Sequence, residues 1–292
     1  MPLISKVKRA LPWWTRLAAK IVLARVPISY ATWAKIGLYR HGHMDGSEYA
    51  LSVFESHVRR LGLSLDQLSG TVILEIGPGD SCATAIIAHA YGASAILIDA
   101  DRFANSDPMA YEPICRALRE RGLSPVDVAQ MPNFEALLAG VGARYVTSGL
   151  SSWRDLSPKT VDIVFSQAVL EHIRAHEFVE LQKECFRVMK HGGKASHRVD
   201  LKDHLGGGLN NLRFSARVWE SDLFVDSGFY TNRIRFDQML ESFDRAGFIV
   251  SDVECDRWDQ LPVGRQKLDV AYRDLPDSSL LVNGFSCVLL RP

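Results

Sequence analysis

Three stretches of this chain carry residues whose types and spacing can do chemistry. The first is Glu75-Ile76-Gly77-Pro78-Gly79-Asp80, where the apolar run Val72–Ile76 is closed by two glycines. Glycine lets a ligand approach the backbone closely, and the stretch Cys82–Tyr91 reads as a helix whose first turn presents free N–H groups. The third glycine of the dinucleotide fingerprint would fall at position 82, where Cys82 stands. Glu75 and Asp80 place carboxylates beside the turn, which would repel a pyrophosphate. The same acids suit a ligand bearing an ammonium or sulfonium. Asp99 follows Gly79 by 20 residues at the end of a second apolar run, Ala95–Ile98, where a carboxylate can accept both hydroxyls of a ribose. The competing reading is a structural turn with two solvated acids.

S-adenosylmethionine meets these demands, since it carries an ammonium and a sulfonium and no phosphate. The second stretch, Glu171-His172, follows a later apolar run. The third, His197-Arg198-Val199-Asp200-Leu201-Lys202-Asp203-His204, ends another run and continues past it. Imidazole is the side chain best suited to take a proton near neutral pH, so His197, His204 and His172 are the candidate bases. For His172 the plainer role is positioning or packing. His197, Asp200, Asp203 and His204 can also be read as metal ligands. Their spacing matches no structural zinc pattern, and ion pairing with Arg198 and Lys202 is simpler, so no metal is expected. Beyond Gly206-Gly207-Gly208 lie Asn210, Asn211, Arg213, Trp219, Phe229, Tyr230, Asn232 and Arg235. Aromatic, amide and guanidinium groups together suit a polyhydroxylated or anionic acceptor, or else a small satellite core.

The elements that must position these residues alternate. Strands are expected at Val72–Ile76, Ala95–Ile98, Tyr145–Val146, Val161–Phe165, Lys194–Val199, Phe248–Val253 and Phe285–Leu290. Amphipathic helices fall between them, one with Phe178, Leu181, Cys185 and Met189 on a single stripe. Short buried strands alternating with helices predict an α/β fold with a mostly parallel, doubly wound sheet. Two connections are long, 103–142 and 201–234, and are expected to be lids or caps. Residues 1–70 read as a helical arm or cap ahead of a cofactor-binding body spanning 71–292. A helix begins at Pro12, with Trp14, Leu17, Ala18 and Ile21 at helical spacing, and another covers Ser47–Leu61, turning Tyr49, Val53, Phe54 and Val58 to a core.

Glu75-Ile-Gly77-Pro-Gly79, Asp99 and Val161-Asp-Ile-Val-Phe-Ser-Gln-Ala-Val-Leu-Glu-His172 closely resemble class I S-adenosylmethionine-dependent methyltransferases. Arg187-Val-Met-Lys-His-Gly-Gly193 and Ala246-Gly-Phe248 fit the same family. The resemblance covers about 70–200 and 236–292. It implies a Rossmann-like sheet of seven strands with the last antiparallel. It also implies S-adenosylmethionine as cofactor, with Glu75, Gly77, Gly79 and Asp80 around the methionine end, Asp99 on the ribose and Gln167 near the methionine or the transferred methyl. Ser81 replaces a frequent glycine. The acid that often binds the adenine is not evident, and Ser151, Ser152, Trp153 and Asp155 occupy its region. The function implied is methyl transfer, with O-methylation of a small-molecule or glycan acceptor, lipid-linked acceptors included, as the expectation. The alternatives are an NAD(P)-dependent oxidoreductase on a related sheet and a non-catalytic methyltransferase-like interaction protein.

Composition bounds these readings. The chain has 292 residues, 47% hydrophobic, with 34 basic and 34 acidic side chains, which is ordinary for a globular protein and argues against one that coats nucleic acid. The zero sum hides an asymmetry. Residues 1–44 hold eight Lys or Arg and no acid, leaving a body with 26 basic and 34 acidic residues. The basic arm, with Trp13 and Trp14, can lie on an anionic membrane surface or cap the cofactor pocket. Capping is favoured, because solitary amphipathic stretches usually face a core. Five cysteines, widely spaced and never in a C-x-x-C pair, fit a reducing cytoplasm. No signal peptide or spanning helix is expected, and a cytoplasmic or membrane-peripheral location follows.

Overall fold

The computed structural model describes residues 12–25 and 44–292. Its centre is a seven-stranded sheet made of β1 (Val72–Ile76), β2 (Ser94–Ile98), β3 (Ala143–Val146), β4 (Val161–Gln167), β5 (Met189–Asp200), β6 (Ile249–Arg257) and β7 (Val282–Leu290). The spatial order is β3-β2-β1-β4-β5-β7-β6. The strands from β3 to β5 pair in parallel, and β7 runs antiparallel to both β5 and β6. This is the doubly wound, seven-stranded α/β sheet expected. Its longer helices are α1 (Trp13–Leu23), α2 (Ser47–Arg60), α3 (Ala83–Ala90), α4 (Glu112–Glu120), α5 (Phe134–Gly140), α6 (Phe178–Val188) and α7 (Phe236–Arg245).

Side chains alternate across each strand, so the sheet builds two cores. Ile73, Ala95, Leu97, Ile163 and Phe165 face α2, α3, α4 and α5. Leu74, Ile76, Ile98, Val164, Ala195, Val199 and Cys287 face α6 and α7. Because the strand order reverses between β1 and β4, the carboxyl ends of β1, β2 and β4 open a crevice at the point where such sheets bind ligands.

Several expectations change in detail. The 103–142 connection is not a lid. Its helices α4 and α5 bury Ile114, Leu118, Phe134 and Leu137 in the core against the sheet, with Tyr111 just ahead of α4. On α1 the inward stripe is Trp13, Leu17 and Ile21, spaced four residues apart, while Trp14 is 58% exposed because one residue turns the helix by about 100°. On α2 Val53, Phe54 and Val58 are buried as expected, whereas Tyr49 is exposed. The strand β5 begins at Met189, five residues before its expected start, because the chain re-pairs with Val161 immediately after α6.

Candidate active site

The crevice is built around Gly77 and Gly79, which take φ of +70° and +65°. A Cβ on Gly77 would stand 2.6 Å from the Val169 methyls, so the turn closes tightly on the segment after β4. The Gly77 N–H donates to the Ile98 carbonyl at 2.7 Å and ties the turn to β2. Tyr111 braces it from behind. Its hydroxyl accepts from the Cys82 N–H at 3.2 Å and donates to the Asn105 carbonyl at 2.7 Å.

Glu75 lies at the floor, 2% exposed, between Leu97 of β2 and Phe165 of β4. Burial pushes its carboxyl up to about 8; the Thr84 hydroxyl pulls it back and the charge of Asp99 adds to the rise. Its Oε2 is buried without a hydrogen-bond partner. A buried carboxylate in that condition is costly unless a cation or donor is supplied.

Asp99 follows β2. Its Oδ2 accepts from the Gly79 N–H at 2.9 Å and its Oδ1 from the Ala100 N–H at 2.8 Å. Burial raises it to about 6, against those two hydrogen bonds. Gly149 donates its N–H to the Asp99 carbonyl at 2.9 Å, which brings the short helical turn Gly149–Asp155 to the crevice wall. Within that turn Trp153 and Ser152 are buried, and Ser151 and Asp155 face outward or partly outward. Asp80 is half-buried in the turn, and its carbonyl accepts from the Asn105 N–H.

Gln167 ends β4, opposite Arg198. The next residue, Ala168, has φ of +54°, a conformation costing about 1–3 kcal/mol for a residue with a Cβ. Its N–H donates to the Arg198 carbonyl at 2.8 Å. The chain is thus turned sharply where β4 leaves the sheet, which sets Val169 against the glycine turn. Gln167 Oε1 lies 3.1 Å from His57 Nε2, and His57 Nδ1 lies 2.8 Å from the Ser196 hydroxyl. Since a carbonyl oxygen only accepts, His57 is the Nε2–H tautomer and donates to Gln167, whose amide protons stay available to other partners. Burial lowers His57 to about 4, so it stays neutral.

The three candidate bases part company. His197 is fully buried, faces Phe243 of α7, and hydrogen-bonds Ser166 through Nδ1 at 2.8 Å. Burial lowers it to about 3. It sits in the core on the opposite sheet face from Gln167, because alternation along β5 turns Ser196 and Arg198 one way and His197 the other. His172 and His204 instead meet, with Nε2 to Nε2 at 3.2 Å and rings parallel within 13°. His172 Nδ1 lies 2.9 Å from the Tyr230 carbonyl and must donate to it. Neutral His172 then accepts at Nε2 from His204 Nε2–H, which leaves the lone pair of the dyad on His204 Nδ1. Burial chiefly, and then the charge of Lys20, lowers His204. Sequence spacing of 32 residues gave no sign of this pairing.

The acids around the dyad have other work. Asp203 accepts at Oδ1 from the N–H groups of Leu205, Gly206 and Gly207 and at Oδ2 from Asn210, so it folds the triglycine loop. Asp200 pairs with Lys202 at 3.1 Å, and Arg198 pairs with Asp256 across the sheet. Among the described residues no cluster of three or more His, Cys, Asp or Glu side chains could hold a metal ion. Glu171 is buried, raised to about 8 by that burial, and accepts from the Asp200 N–H at 3.3 Å.

The insertion 201–234 folds on its own core of Leu205, Trp219, Phe224, Phe229 and Tyr230, which α1 covers with Trp13, Leu17 and Ile21. Arg16 reaches the Leu205 carbonyl at 3.3 Å, and Arg213 stacks on Trp13 at 4.9 Å. Described residues of the basic arm therefore cap the insertion beside His204. Residues 1–11 and 26–43 of the arm lie outside the described part. The aromatic, amide and guanidinium groups of 210–235 are largely spent on structure. Asn232 bonds the Leu170 and Ile173 carbonyls, Trp219 bonds the Thr231 carbonyl, and Arg235 is clamped by four carbonyls. Sequence reasoning missed His57, whose signal was a lone histidine on the apolar stripe of α2 beside Phe54 and Val58.

The residues present fit S-adenosylmethionine: Glu75 holds an unpartnered buried oxygen, both glycines of the turn take positive φ, and Asp99 is held by the turn itself. Residues 74–196 match the family model described as "Methyltransferase domain". No curated protein matches the chain. Among solved structures, phosphoethanolamine N-methyltransferase 2 of Haemonchus contortus is 17% identical with a TM-score of 0.45, over 81% of this chain and 51% of that one. A geranyl diphosphate methyltransferase is 12% identical with a TM-score of 0.45, over 82% and 84%. An S-adenosylmethionine-dependent methyltransferase of Mesorhizobium loti is 14% identical with a TM-score of 0.42, over 78% and 99%. The chain spans about half the length of the first two solved structures it matches. These likenesses are distant, and nothing about acceptors follows from them. The sheet order and the glycine corner agree with the methyltransferase-domain match over residues 74–196.

Proposed function

We propose that this protein methylates a hydroxyl of a small-molecule or glycan acceptor, lipid-linked acceptors included, with the His172–His204 dyad as proton acceptor. The observation that carries the reading is the dyad itself: two imidazoles joined at 3.2 Å where β4 and β5 leave the sheet. Bound at the glycine corner, S-adenosylmethionine supplies an electrophilic methyl group on sulfur. Glu75 and Asp80 offer carboxylates to the cofactor's positive groups, Asp99 its oxygens to the ribose, and Gln167 its amide protons to the methionine end. His204 Nδ1 would take the proton of the acceptor hydroxyl, while the bound cofactor would supply the methyl group and leave as S-adenosylhomocysteine. His204⁺ is held by the lone pair of His172, whose Nδ1–H stays on the Tyr230 carbonyl. Alignment and exclusion of water contribute the rest, and α1 with the insertion supplies cover beside the dyad.

The test compares turnover of His172→Ala, His204→Ala and His197→Ala with an acceptor found by incubating labelled cofactor with a fractionated lysate. Loss of a general base costs about 10²–10⁴ in rate. The first two variants should lose turnover in that range with cofactor affinity retained, and His197→Ala should lose melting temperature rather than turnover. Full activity in both dyad variants would dismiss it as the base.

A further inference from the structure

On the face of the sheet that packs α2, one cross-strand row is polar where a doubly wound sheet is normally apolar. Gln167 of β4 pairs with Arg198 of β5, Arg198 with Ser286 of β7, and Ser286 with Glu254 of β6. Above this row lies a cavity of about 480 Å³, roofed by Ser56, His57 and Arg60 of α2 and edged by Cys255 and Asp256. Two guanidinium–carboxylate pairs, Arg60 with Glu254 at 2.6 Å and Arg198 with Asp256, stand in its wall. Ser286 and His57 are buried, and no aliphatic side chain and no Phe, Tyr or Trp lines the space.

We propose that this cavity binds a neutral polyhydroxylated group and is the acceptor subsite beside Gln167. Charge argues for the class of ligand. With His57 neutral, two cations are balanced by two anions, each already paired, so an anion or a cation would have to break a formed pair to bind. A hydroxyl both donates and accepts, and adjacent hydroxyls can bridge a carboxylate oxygen and a guanidinium N–H while leaving the pair intact. Serine, histidine and glutamine offer further partners of the same kind. Position argues for the role. Gln167 lines the cavity and is the last residue of β4, whose carboxyl end opens on the cofactor crevice, and His57 fixes the orientation of its amide. His57 is in this sense a positioning residue: it spends its own proton on Gln167 Oε1 and so aims the amide protons.

The inference deepens the methyltransferase reading, and one set of samples separates the two. The full chain is saturated with S-adenosylhomocysteine, measured by calorimetry, and then screened by saturation-transfer NMR against a panel of neutral monosaccharides, disaccharides and polyols. Inorganic phosphate and glycine serve as the anionic and zwitterionic probes. The expected result is binding of at least one neutral member, weakened tenfold or more by Ser286→Leu, which fills the cavity, and by Arg198→Met. Glu254→Ala, at an exposed position, provides a variant that keeps the fold while removing one acceptor, and should weaken the same ligand at least threefold. S-adenosylhomocysteine affinity should stay within twofold in all three. No binding from the neutral panel, binding unchanged in the variants, or tighter binding of phosphate or glycine than of every neutral member would overturn the proposal while the methyltransferase reading stands. Failure of the unaltered protein to bind S-adenosylhomocysteine would remove the reading beneath it.

Discussion

If the cofactor's positive groups lie on Glu75 as proposed, its burial makes cofactor binding depend on pH. With its carboxyl raised to about 8, only about one molecule in a hundred carries the charge at pH 6 in the free protein. A cation bound against Oε2 favours the ionised form and draws the group back toward its ordinary value of 4.5. The proton that Glu75 must give up is then a cost of binding that shrinks as pH rises. Between about pH 6 and 7.5 the apparent affinity for S-adenosylmethionine should rise roughly 20-fold, which is about 2 kcal/mol at 1.36 kcal/mol per pH unit. The window stops there because the ligand's own α-amino group titrates near 7.7–8.0. Asp99, at about 6, adds a factor of about two at most over the same range. Calorimetry in two buffers of different ionisation heat measures both quantities. It should find close to one proton released per cofactor bound near pH 6.5. Glu75→Gln keeps the shape and cannot ionise, so its affinity should be weaker at pH 7.5 and vary no more than about twofold across the window. A flat profile in the unaltered protein, or the same slope in Glu75→Gln, would refute the placement of the cofactor's positive groups on Glu75.

Asp99→Ala removes the carboxylate that the turn presents and frees the Gly79 N–H; S-adenosylhomocysteine affinity by calorimetry should fall at least tenfold, and an unchanged value would sink the ribose assignment. The free protein's stability should also depend on pH in a stated direction. Glu75 and Glu171 fold with raised values, so the stability they contribute is present below their unfolded values and lost as pH rises through about 8. His57 and His197 fold with lowered values, so their cost appears as pH falls below 6.5. The two effects oppose each other between about pH 4.5 and 6.5. From pH 6.5 to 8 the loss dominates, at about 1.6 kcal/mol for each carboxyl and about 3 kcal/mol for the two, and Glu171→Gln should halve it in chemical denaturation.

Most of the sheet and the cofactor corner were legible in the sequence because they are local. A strand, a glycine turn and a helix N-terminus lie within 20 residues, and Glu75, Gly77, Gly79 and Asp99 take their places from strand ends alone. The same locality misplaced His197. One residue decides which face of β5 a side chain takes, and only the packing of Phe243 against that strand reveals which face is core. The 103–142 connection read as a lid because its length is visible and its burial is not. For Asp203 the sequence shows an acid among histidines. The structure shows a carboxylate consumed by four backbone N–H groups, a role that exists only once the triglycine loop has closed around it.

The amino-acid order by itself determined the fold class and the chemistry of the ligand that the glycine corner can hold, because strand periodicity, turn residues and the signs of charges are properties of short segments. Tertiary structure alone decided the rest. It joined His172 to His204 across 32 residues, hung Gln167 from His57 of a helix 110 residues away, and laid Gln167, Arg198, Ser286 and Glu254 in one row from four strands. The physical reason is that hydrogen bonds and desolvation act through space. A histidine becomes a base, a prop or a piece of core according to what the fold brings within about 3 Å of its two nitrogens.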